Sequence, residues 1–305
     1  MNSILDALGP VFLIVLAGAG LNHLRFPEQA FWPLAEKFTY FILFPALLIY
    51  KLAQAPFEQV AGFSLLLSVV LPLVIAFVLL LLFSRWLADS GPAFTSIFQG
   101  SIRFNTYVGL AASEQLFGEP GLIIAALVIA VMIPLINVLC VTIFALKSPQ
   151  KSATTVGLLK NIAKNPLIVS CLIGILLNVS GIGLPHWSGP FLSILSQPAL
   201  PLGLLAVGAG LNLTALGASL PAMARSSLIK LFILPLLAWF IGRQVGLSGV
   251  ELQVIVLFFS LPTASSAYIL ARQLGGDAPL MAAIISGQAL LAMLTMPLVM
   301  LWVSP

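Results

Sequence analysis

Ten apolar stretches, each close to the length of a bilayer-crossing helix, follow one another along this chain with little between them. They run at about 7–24, 36–54, 61–84, 93–117, 120–146, 164–180, 190–213, 226–245, 250–273 and 278–303, and a helix needs about 20 apolar residues to cross a membrane. Charged residues amount to 7% of the 305 and apolar residues to 60%, whereas a soluble domain carries about 25% charge. So little charge cannot clothe a water-facing surface. The expected fold class is all-α and integral to the membrane. The formal net charge of +4 then reflects where a few lysines sit, not a nucleic-acid-binding face. Cys140 and Cys171 lie in apolar runs and indicate neither a disulfide framework nor a metal site, and no cofactor is expected. The opening MNSILDALGP lacks a basic n-region, so the first stretch reads as a retained span, not a signal peptide.

Lysine and arginine in the connections set the expected orientation. Odd-numbered connections collect Arg25, Lys37, Arg85, Lys147, Lys151, Lys160, Lys164, Arg225, Lys230 and Arg272, and even-numbered ones only Lys51 and Arg243. Ten against two puts the longest polar stretch, KSPQKSATTVGLLKNIAKNP at 147–166, on the cytoplasmic side and both termini outside. Arg103 is left over, inside the fourth stretch.

The two halves of the chain echo each other. QLFGEPGL (115–122) returns as QLGGDAPL (273–280), 158 residues later. VLPLVIAF (70–77) resembles ILPLLAWF (233–240), MIPLINVL (132–139) resembles TMPLVMLW (295–302), and FPALL (44–48) resembles QPALP (197–201). These offsets of 153–163 divide the chain near Lys151 into halves 1–150 and 151–305, with five spans in each. A half with an odd number of spans must reinsert upside down, so the expected architecture is an inverted repeat, as in many secondary transporters. A rival register, in which GAGLN at 18–22 recurs at 208–212 and FILFPALL resembles LFILPLLA, has an offset of 190. It would strand about 75 residues between two incomplete copies. The GAGLN pair reads instead as small-residue packing. Glu119 and Asp277, in the repeated loops, read as charges at helix starts.

Two spans look interrupted. Span four carries Gln99, Ser101, Arg103, Asn105 and Thr106 near its middle, and span nine carries Pro262, Thr263, Ser265 and Ser266 at the same depth. Proline removes a backbone donor, and Asn or Thr can bond the groups so freed. Paired breaks at matching positions are the best pointer in a sequence to a transporter's binding site. Broken helices turn positive half-dipoles toward it, and arginine grips carboxylates in a two-pronged fork. Asn137 in span five and Gln288 in span ten are the other deep amides. No carboxylate is expected near the middle of any span; Glu36 is placed at a span end. The candidate substrate-binding residues are therefore Arg103, Asn105, Thr106, Asn137, Pro262, Thr263, Ser265, Ser266 and Gln288. An ordinary kink at Pro262 and packing at Asn105 remain the bland readings.

The order and spacing of FPALL in span two, IRFNTYVGL in span four and SLPTASSAYILARQLGGD in span nine resemble the auxin efflux carrier family. That family takes in the plant PIN-type exporters and bacterial permeases for malonate and other small organic acids, and the short central loop makes this chain similar to the bacterial members. The resemblance implies spans four and nine crossing at their breaks. It also implies a mobile transport domain of spans 3–5 and 8–10 and a scaffold of spans 1, 2, 6 and 7 that forms a homodimer. Asn105, Thr106 and Pro262 match the family's pattern. Phe104 stands where PIN proteins carry proline, so span four is expected to be opened by Asn105 and Gly109 instead.

The expected function is secondary transport of a small organic anion, a carboxylate, by elevator-like alternating access in a bacterial inner membrane. The alternatives are an anion channel and a ligand-binding membrane sensor. No HExxH, GxSxG or paired carboxylate suggests an enzyme. The expected partners are the substrate, membrane lipid and a second copy of the chain, with no nucleic acid.

Overall fold

The computed structural model describes residues 2–56, 62–147, 164–217 and 219–304. The expected boundary between halves, with Lys151 and Lys160, lies outside them. Among the described residues every regular element is a helix. In chain order the principal helices are α1 Asn2–His23, α2 Phe31–Ala53, α3 Gly62–Leu82, α4 Gly91–Ile102 and α5 Thr106–Lys147. They continue as α6 Pro166–Val179, α7 Ser188–Ala209, α8 Leu220–Gln244, α9 Gly249–Ser260, α10 Ser266–Leu274 and α11 Ala278–Val303. Among the described residues seven segments are long and apolar enough to cross a membrane, one of them being Gly91–Lys147, which takes in the expected spans four and five. Pro166–Val179 and Gly249–Ser260 are shorter apolar helices. Large apolar side chains such as Leu13, Leu82, Val179 and Leu294 stand exposed on the outer faces, as a lipid-facing surface requires.

The helices pack in two groups. α1 lies against α7, and α2 against both α6 and α7; α3, α4, α8, α9 and α11 pack on one another; α5 touches both groups, and α1 also meets α11. The joint between α1 and α7 depends on glycine. A Cβ on Gly18 would strike the Leu205 carbonyl, and one on Gly208 the Val15 carbonyl. Asn22 Nδ2 then donates to the Ala209 carbonyl at 2.9 Å. The two GAGLN copies are thus one packing interface, in keeping with the packing reading.

The other likeness at the 190-residue offset also has a local cause. α2 widens into a π turn at Thr39–Leu43 and α8 into one at Ile229–Ile233. In each case a proline, Pro45 or Pro235, follows two residues later. Proline offers no N–H to the carbonyl four residues back and crowds it, and a wider turn relieves both problems. Pro72, repeat partner of Pro235, sits instead inside an uninterrupted α-helix.

Connections touch in a pattern. Lys147 Nζ reaches Ser84 Oγ, Arg225 donates to the Leu87 carbonyl, and the Asp277 N–H donates to the Pro92 carbonyl. All three contacts join odd-numbered connections or the span ends beside them. Lys51 pairs with Glu119 at 2.8 Å, and Asn178 donates to the Ala53 and Ala55 carbonyls. Those join even-numbered ones. The repeated loops differ in detail: Gly118 (φ 65°) is a one-residue kink inside α5, whereas Gly275 (φ 77°) ends α10 in a left-handed turn. Asp277 caps α11 by accepting the Leu280 N–H at 3.0 Å, and Glu119 serves the ion pair instead.

One expectation is corrected. Lys230, counted with the connection charges, is fully buried inside α8, where α4, α9 and α11 close over its π turn. Without it the charge bias is nine against two, and its direction is unchanged.

A candidate binding cavity at two broken helices

α4 stops at Ile102 because Arg103 is extended (φ −72°, ψ 156°). Asn105 starts α5: its Oδ1 accepts the N–H groups of Tyr107 at 3.1 Å and Val108 at 3.2 Å. Such a cap contributes about 1 kcal/mol, and here it replaces the missing proline. Phe104, at the proline position, packs edge-on against Phe258 with ring centroids 5.4 Å apart. Gly109 is continuous with α5. Its bare Cα lets Leu261 approach, since a Cβ there would lie 2.7 Å from the Leu261 side chain.

α9 stops at Ser260 because the residue before a proline is pushed out of the helical region. Leu261 has φ −64° and ψ 146°. α10 resumes at Ser266.

The two breaks meet. The Asn105 N–H donates to the Pro262 carbonyl at 2.8 Å. The Thr263 hydroxyl donates to Gln288 Oε1 at 2.8 Å, with the Gly100 carbonyl at 2.9 Å as its alternative acceptor. Gln288 Oε1 also accepts the Thr263 N–H at 3.1 Å, and its Nε2 donates to the Gly100 carbonyl at 2.9 Å. The helix end at Gly100 and the break at Thr263 are therefore held by one amide.

A cavity of about 480 Å³ opens on one side of this junction. Of the nine residues singled out from the sequence, Arg103, Asn105, Thr106, Asn137, Ser265 and Ser266 line it. Pro262, Thr263 and Gln288 do not; they are buried behind it, and their polar groups are spent on the junction. Both resumed helices begin at the cavity, through Thr106 and Ser266, so two N-terminal half-dipoles border it. Arg103 Nη2 donates to Asn137 Oδ1 at 2.9 Å. That partner is neutral, and among the described residues no carboxylate lies within ion-pair distance of the guanidinium. A half-buried arginine with donors to spare is suited to an incoming anion.

One lining residue contradicts the sequence reading. Glu36, taken as a span-end charge, faces the cavity because α2 begins at Phe31, more than a turn earlier than expected. Its Oε1 accepts from Ser265 Oγ at 2.7 Å. Lys37, Tyr40 and Tyr107 also border the space.

Residues 153–300 match the family described as membrane transport protein. The chain is 31% identical over 134 residues to an uncharacterized transporter of Methanothermobacter thermautotrophicus, covering 44% of each chain. It is 25% identical over 174 residues to the uncharacterized transporter YfdV of Escherichia coli K12, covering 55% of this chain and 54% of the relative. The chain thus spans about half the length of the curated relatives it matches. With its apolar helices and this match over residues 153–300, the chain is a multi-pass membrane protein whose second half is similar to the membrane transport protein family.

Proposed function

We propose that this protein is a secondary carrier of small organic anions, carboxylates above all, working by elevator-like alternating access. The observation that carries this reading is Arg103. It opens, with no charged partner among the described residues, onto a cavity at the contact of two broken helices. The volume of about 480 Å³ suits a small-molecule site. Two helix starts and a guanidinium favour negative charge there.

The architecture that goes with it has ten spans in two inverted halves, 1–150 and 151–305, with a scaffold of spans 1, 2, 6 and 7 and a mobile domain of spans 3–5 and 8–10. The segregation of helix contacts into two groups supports that division. The sorting of connection contacts into odd and even sets supports the alternation of spans. The charge bias supports a cytoplasmic central loop and outside termini in an inner membrane, and a scaffold-mediated homodimer completes the picture.

A thermal-shift screen of the purified protein against acetate, pyruvate, malonate, succinate and oxalate tests the reading, followed by flux in proteoliposomes. Saturable flux with stimulation by anion on the far side is expected. Large unitary currents would make it a channel, and binding without flux a sensor.

A further inference from the structure

The cavity contains a carboxylate of the protein's own. Glu36 lies on α2, and Ser265, which donates to it at 2.7 Å, sits immediately before the first residue of α10. The two are 229 residues apart. Among the described residues no cation lies within ion-pair distance of Glu36, not even its neighbour Lys37. A carboxylate held by a hydroxyl at the start of a helix is the arrangement an organic anion would adopt in this cavity. The bond also crosses a seam, since α2 belongs with α1, α6 and α7, and α10 packs on α4 and α11.

We infer that Glu36 is a built-in stand-in for the organic anion, which locks the empty carrier and makes anion exchange, not net transport, its favoured mode. The inference rests on the carrier reading above. In the empty protein the charged hydrogen bond ties the static helix α2 to the mobile helix α10. An arriving carboxylate, drawn by Arg103, competes for Ser265 and repels Glu36, so the tie opens when the site fills. The loaded carrier moves, and the empty one is held back. A hydrogen bond to a charged group changes an equilibrium by about tenfold or more, so the empty carrier returns slower by about that factor.

Two measurements on the full chain test this. In proteoliposomes, radiolabelled malonate should exchange against internal malonate about tenfold faster than it enters malonate-free vesicles. In Glu36→Gln and in Ser265→Ala that ratio should fall toward one, because the empty carrier is released. Equal exchange and net rates in the wild type, or an unchanged ratio in both variants, overturns the inference while leaving an organic-anion carrier intact. Hydrogen exchange of the empty protein needs no substrate. Both variants should exchange the first-turn amides of α10 several-fold faster than the wild type. Unchanged protection in both removes the lock. If the lock is seen but no carboxylate moves through the wild type, the carrier reading fails instead.

Discussion

The Asn105 N–H donates to the Pro262 carbonyl at 2.8 Å, joining two helix breaks 157 positions apart. Breaking a helix in apolar surroundings strands backbone donors and acceptors, and each left unmade costs several kcal/mol. Here each break answers the other. Neither span could be interrupted alone without burying an orphan, so the two breaks stand or fall together and leave Arg103 free to face the cavity.

That dependence gives a stability prediction. Thr263→Val should lower stability by about 0.5–1.5 kcal/mol, since it removes one bond to Gln288, and Gln288→Leu by about 1–3 kcal/mol, since it strands the Thr263 N–H. The double variant should lose less than the sum of the two, by about 0.5–3 kcal/mol. Thermal unfolding of the four proteins in detergent checks this. Strict additivity would show that the two side chains do not act as one staple.

Arg103 should behave differently. Arg103→Ala removes a charge and a fork from the cavity wall while leaving the junction bonds of Thr263 and Gln288 in place. Anion affinity should fall about 10-fold to 100-fold, the equivalent of roughly 1.5–3 kcal/mol for charged hydrogen bonds. Arg103→Lys should recover part of it, keeping the charge without the fork. Isothermal titration with the best carboxylate of the screen decides; unchanged affinity in Arg103→Ala would place the anion elsewhere.

The breaks were legible because their causes are local. Pro262 excludes Leu261 from the helical region, and Asn105 is a good helix starter wherever it falls. Their crossing was implied by the family resemblance, the repeat offset only placing the two breaks at matching positions. What the sequence hides is convergence. Gln288 stands out as a deep amide, but only the fold turns it toward Gly100 and Thr263 and away from the cavity. Glu36 beside Lys37 looks like a membrane-edge charge pair, and nothing nearby tells of Ser265. Lys230, five residues after Arg225, reads as part of a charged connection until α4, α9 and α11 close around it. The π turns explain why a second register tempts the eye: both likenesses at that offset are packing and proline chemistry, which recur wherever helices meet closely.

The glycine joint makes its own prediction. Gly208→Leu would force a side chain into the Val15 backbone, and Gly20→Leu, where a Cβ meets nothing, would not. Overpacking of this kind costs about 1–3 kcal/mol or more. Gly208→Leu should lower the melting temperature and yield of folded protein, and Gly20→Leu should change them little. Similar losses in both would mean that α1 and α7 do not meet at these glycines.

Orientation can be read by labelling. Asp89 and His186 are exposed, in an odd-numbered and an even-numbered connection. Cysteines placed there should react with an impermeant maleimide from opposite sides, Asp89→Cys from the cytoplasm and His186→Cys from outside. Cys140 and Cys171 are buried and should stay silent. Labelling of both from one side would undo the alternation of spans.

Pro262 offers the sharpest separation of transport from folding. The residue lies behind the cavity wall, so its replacement removes no contact with a bound anion. Pro262→Ala restores an N–H that can donate to the Phe258 carbonyl, and it frees Leu261 to turn helical. α9 would then grow by about a turn, pulling the 262 carbonyl away from Asn105. The helix gains a bond, but the buried Asn105 N–H loses its acceptor, so stability should fall by about 1–3 kcal/mol. Flux should suffer far more, because the break that lets the two half-helices present their ends to the cavity is closing. The expected result is folded protein with a modestly lowered melting temperature and flux reduced about tenfold or more, the loss scaling with about 1.4 kcal/mol per decade. Wild-type flux in Pro262→Ala would mean that the opening of span nine is an ordinary kink, and that the carrier's working parts lie outside the junction of the two breaks.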